Sequence, residues 1–214
     1  MTQDNRDDLP DQCDPEIMAG TAHFPGRATQ MALRDKAYEM LEVFKTRSGR
    51  QGTRLSNAWL GEHDWRVQLL QHWDVRNSGP LEMFVPLAAA LQRRGITHLC
   101  GTYVDAEGIT DPTAVWRIPL EARRISSFFE AHPNSFHILF PEDRSFAIHA
   151  MEDVCAAFAG PEAFLREALL PEFQGEAALA DLKDAMDEEY GEAAFASVLD
   201  HYGPFLLEDP EDGG

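Results

Sequence analysis

The chain has 214 residues, 44% of them hydrophobic, which is enough for a sizeable core and too apolar for a disordered chain. Its 37 acidic side chains against 18 basic ones leave a formal net charge of −19, a field that repels phosphate backbones and anionic lipid, so nucleic-acid and membrane binding are not expected. No apolar run approaches the roughly 20 residues that span a bilayer, and the acidic opening MTQDNRDDLPDQCD is unlike a signal peptide, which predicts a cytoplasmic protein.

The charge is unevenly placed. Residues 23–94 carry seven acids and eleven bases, whereas residues 141–214 carry nineteen acids and three bases, so most of the negative field belongs to the C-terminal third. Cys13, Cys100 and Cys155 are widely spaced, and the last two sit in apolar runs. They read as buried reduced thiols, not as a disulfide framework or a zinc knuckle.

In chain order, residues 1–22 have few large apolar side chains and read as an acidic tail. From Ala28, the apolar residues Met31, Leu33, Ala37, Met40, Leu41 and Phe44 recur at spacings of three and four, predicting one helix up to the stretch Ser48-Gly49-Arg50-Gln51-Gly52. A second helix is expected over 55–73. A third, over 80–94, has Pro80 in its first turn and Gly95 as a left-handed C-terminal cap.

Beyond Gly95 the period drops to two. Residues 97–104 and 113–119 read as strands, followed by a short helix at 121–131. Residues 135–140 and 145–151 flank the turn Pro141-Glu142-Asp143-Arg144, a hairpin signal. A further strand is expected at 154–159, a helix from Gly160-Pro161 to about Leu170, and one long helix over 176–202 ending at Gly203-Pro204. The predicted fold is α+β: a helical N-terminal part (28–94), a mixed or antiparallel sheet of about five strands (97–160) and C-terminal helices packed on it (161–202). These form a single domain over 23–205, and 206–214 is a second acidic tail.

Motifs for dinucleotides, P-loop phosphates, zincin metals and the hydrolase nucleophile elbow are all missing from the sequence, so no catalytic residue, cofactor or metal site is assigned. The densest cluster of metal-ligating types is Glu62, His63, Asp64, His72 and Asp74. On a continuous helix, however, His63 and His72 would stand about 13.5 Å apart along the axis on opposite sides. If Phe140 paired with Ser145, His149 would face Phe136 and His137 would face Ile148, placing the two histidines on opposite faces of the sheet. Trp59, Trp65 and Trp73 are interleaved with Arg66 and Arg76, but Glu62, Asp64 and Asp74 break any basic stripe, and packing explains these rings better than nucleic-acid contact.

The predicted last helix has a core stripe of Leu182, Met186, Tyr190, Ala194, Val198 and Tyr202. Asp181, Asp184, Glu188 and Glu192 form an acidic ridge on its other side. That ridge is the candidate partner-binding site. The reading is an acidic interaction protein that binds and neutralises or regulates a basic protein partner, in the manner of an immunity protein, antitoxin or inhibitor. Two other classes stand beside it: an enzyme without a standard motif using the sheet histidines and nearby carboxylates, and a structural assembly subunit or homo-oligomer built on exposed aromatic side chains.

Overall fold

The structure, a computed structural model, describes residues 20–45, 51–71, 81–104, 114–131, 136–151 and 155–209; the side chains of residues 81, 189, 192 and 193 fall outside that description. Its elements run β1 (Ala22–His23), α1 (Arg27–Glu39), β2 (Leu41–Lys45), β3 (Gln51–Leu55), α2 (Asn57–Glu62), β4 (Trp65–Gln71), α3 (Leu81–Arg93), β5 (His98–Tyr103) and β6 (Val115–Pro119). They continue with α4 (Ala122–Ala131), β7 (His137–Phe140), β8 (Ala147–Met151), β9 (Cys155–Pro161), α5 (Glu162–Ala168), α6 (Gly175–Tyr190) and α7 (Glu192–Tyr202).

Seven strands form one sheet in the order β1-β6-β5-β7-β8-β9-β4, every neighbouring pair antiparallel. The expected α+β character is present, but the sheet has seven strands where about five were expected, and β2–β3 forms a separate two-stranded sheet. The helical N-terminal part is also corrected, since β1 to β4 all precede α3.

Both faces of the sheet are covered. Leu70, Leu99, Trp116, Ile118, Leu139, Ile148 and Phe158 point to one side, against α3, α4 and α5. Val67, Leu69, Cys100, Ile138, Phe140, Ala157 and Ala159 point to the other, against α1, the β2–β3 hairpin, α6 and α7. This alternation is the two-residue period of a strand, here buried on both sides.

The largest misreading concerns β4. Residues 65–71, WRVQLLQ, place Trp65, Val67 and Leu69 on one face and Arg66, Gln68 and Leu70 on the other, a two-residue alternation that the helix expected over 55–73 ran across. The predicted helix over 55–73 is instead the short α2, capped by the Ser56 hydroxyl, and then β4, the partner of β9. The helix predicted through Phe44 stops at Glu39. Met40, whose N–H bonds back to Ala37 and Tyr38, hands the chain to β2.

Further along, local rules hold better. α3 ends as its sequence predicts: Gly95 has φ 77, its N–H donates to the Gln92 carbonyl, and the Ile96 N–H donates to the Leu91 carbonyl. The β7–β8 hairpin forms with its register moved by two residues from the expected one, His137 opposite Ala150 and Ile138 opposite His149. A shift of two preserves alternation, so the histidines still lie on opposite faces. The single helix predicted over 176–202 is two helices. Gly191, at φ 80 and ψ 154, ends α6 and starts α7 on a new axis.

Candidate functional site

α6 packs on β4 and α7 through Leu182 and Met186, which are fully buried. With that face fixed, the opposite side turns to solvent, and Asp181, Asp184 and Glu188 are all exposed there. Their spacing of three, four and seven residues puts them in one row. The only cation of α6, Lys183, pairs with Asp187 at 2.6 Å, and among the described residues none of the three acids has an ion-pair partner.

The row is locally unfavourable. Asp184 and Glu188 are like charges at i, i+4, worth a few tenths of a kcal/mol against the helix. Glu188 also lies in the last turn, at the negative end of the helix dipole. Glu192, the fourth residue of the expected ridge, lies across the Gly191 break. It is the first residue of α7, and its side chain lies outside the described residues. The break also corrects the expected core stripe: Leu182, Met186 and Tyr202 are buried, whereas Tyr190 is 37% exposed.

The sheet histidines do not converge. His137 packs between the rings of Phe128 and Phe129 on one face, with centroid separations of 5.5 and 5.1 Å, while His149 lies on the other face. Both side chains are fully buried. Burial pushes His149 down to about 3, so the imidazole is neutral. The thiols of Cys100 and Cys155 are each pushed up to about 12, chiefly by burial, which removes them as thiolate nucleophiles.

At the end of α2, Glu62, His63 and Asp64 are exposed; His72, Trp73, Asp74 and Arg76 lie outside the described residues. His63 stacks on Trp59 at 3.8 Å, the Arg144 guanidinium stands 4.9 Å from the same ring, and Arg144 also pairs with Glu39. Trp65 is buried beside them. These residues tie the β7–β8 turn to α1 and α2. Among the described residues, no three His, Cys, Asp or Glu side chains gather in a group that could hold a metal ion, and no helix is long and apolar enough to cross a membrane.

No protein-family model, curated protein or solved structure matches the chain.

Sequence reasoning missed a polar seam between the β2–β3 hairpin and the sheet. Thr53 Oγ1 lies 3.1 Å from His149 Nε2, the Leu55 N–H donates to the Tyr202 hydroxyl at 3.1 Å, and His201 Nε2 lies 2.8 Å from the Leu55 carbonyl. Their partners lie about a hundred residues or more away, so no local pattern could have found them. The one available signal was the small residues Ala147, Ala157 and Ala159 on β8 and β9, which leave room for a covering strand.

Proposed function

We propose that the protein is an interaction module that docks a basic protein partner on the outward face of α6 and thereby neutralises or regulates it, as an immunity protein, antitoxin or inhibitor does. The observation that carries this reading is the exposed row of Asp181, Asp184 and Glu188, which has no ion-pair partner among the described residues. Such a row works against its own helix, and its charge is free to pair with Lys and Arg of a partner. The field of the C-terminal third steers association, and the row fixes where the partner seats.

The test is affinity capture from lysate of the native host, followed by kinetics on the recovered partner with wild type and D181A/D184A/E188A. The expected result is a basic protein released by salt, whose association rate with the variant falls about tenfold at low ionic strength and converges with wild type at high salt. The variant's melting temperature should stay within error of wild type, because the three side chains are exposed. A partner that binds the variant as fast as wild type at low salt would remove α6 as the docking face.

A further inference from the structure

Among the described residues the β2–β3 hairpin pairs with no strand of the seven-stranded sheet; its ladder is internal, running from Leu41 opposite Leu55 to Lys45 opposite Gln51. Val43, Lys45 and Gln51 are exposed, while Gly52, Thr53 and Leu55 are buried. Gly52 fits closely, since a Cβ there would stand 2.6 Å from the Phe136 ring. Among the described residues, three hydrogen bonds cross to the body, Thr53 with His149, Leu55 N–H to the Tyr202 hydroxyl and His201 to the Leu55 carbonyl, beside the Glu42–His201 contact at 3.9 Å.

His149 sits on an interior strand, with Ile138 on one side and Ala157 on the other, and its side chain points to the face that the hairpin covers. Its Nε2 meets Thr53, and its Nδ1 has no hydrogen-bond partner among the described residues. Protonation would create a buried cation with one N–H unmatched, which is costly unless water reaches it.

We propose that the β2–β3 hairpin is an acid-released strap, seated on the sheet through Thr53 and His149, which lifts off as a unit when His149 takes a proton while the seven-stranded sheet stays folded.

The groups around His149 do not offset that charge. Cys155 of β9 and Tyr202 of α7 are held neutral by burial. Glu42 and Arg54 of the hairpin pair with each other at 2.8 Å. Thr53, Phe136, Ile138 and Ala157 are uncharged. His201 behaves differently. Its Nε2–H donates to the Leu55 carbonyl in either protonation state and its Nδ1 stands 3.9 Å from Glu42, so the hydrogen bond survives acid, but burial lowers its pKa as well and adds to the acid dependence of opening. The closed form keeps His149 neutral to about 3, whereas a hydrated imidazole titrates near 6.5, so the opening constant should rise about 25-fold from pH 7 to pH 5.

The experiment is amide hydrogen exchange at pH 7 and pH 5, with rates expressed as protection factors, on wild type, His149→Gln and Thr53→Val. Amides of 41–45 and 51–55 should be less protected than those of β7 to β9 at both pH values, and their protection should fall about 25-fold between them. Thr53→Val, which keeps the histidine, should retain the fall, and His149→Gln should reduce it to the part that His201 carries. Hairpin amides as well protected as those of β8 and β9 at both pH values would overturn the proposal, as would an undiminished fall in His149→Gln. Should His149→Gln not fold, the imidazole resonance of His149 in wild type decides: titration near 6.5 with the hairpin still protected rules the strap out.

Discussion

Gly191 separates two accounts of the C-terminal helices, and replacing it with Ala gives them opposite signs. In a continuous helix over 176–202, Gly→Ala would stabilise by about 0.5–1 kcal/mol, because glycine is a poor helix former. In the structure Gly191 sits at φ 80 and ψ 154, a region that is close to glycine-only and costs other residues about 1–3 kcal/mol. Among the described residues, leaving out its chain neighbours, no atom lies within 4 Å of the added Cβ, so the effect is one of backbone conformation and not of crowding. The assay is thermal or urea unfolding of Gly191→Ala beside Gly203→Ala, whose backbone is helical at φ −46 and ψ −46 with open space around the Cβ. Gly191→Ala should lower the melting temperature by about 2–12 °C, at roughly 2–4 °C per kcal/mol for a domain of this size. Gly203→Ala should be neutral or stabilising by up to about 1 kcal/mol. A higher melting temperature for Gly191→Ala would refute the break, and with it the placement of Tyr190 in solvent and Glu192 on a separate axis.

Two further outcomes follow from the seam under the hairpin. His149 is neutral when folded and takes a proton near 6.5 when unfolded, so the unfolded state binds more protons below that value and stability falls with pH; the loss from pH 7 to pH 5 is about 2 kcal/mol, measured as the difference in urea stability between wild type and His149→Gln at each pH. Tyr202→Phe deletes the acceptor of the buried Leu55 N–H and should cost about 1–3 kcal/mol in the same assay; a change below about 0.5 kcal/mol would mean that water replaces the hydroxyl.

Where the chain's signals are local, they were legible. The end of α3 at Gly95 needs only a residue that tolerates positive φ, and the strands from His98 to Pro161 were found because they pair mostly with neighbours in sequence across short connections. The exposed row on α6 was legible for the same reason: Leu182 and Met186 at helical spacing fix the buried side, and the acids fall opposite.

By itself, the sequence determined the α+β character, the acidic C-terminal third, the left-handed cap at Gly95 and the opposite placement of His137 and His149, since each follows from composition or from a period of two or 3.6 residues. Tertiary structure alone decided which strand 65–71 pairs with, since its hydrogen-bond partner is β9, some ninety residues away. It also decided that β2 and β3 leave the helical pattern to cover the alanine-lined face of β8 and β9, and that Gly191 is a break and not a tolerated glycine inside a helix. Apolar periodicity records which side chains seek burial; the partner that buries them is set by the packing of the whole chain.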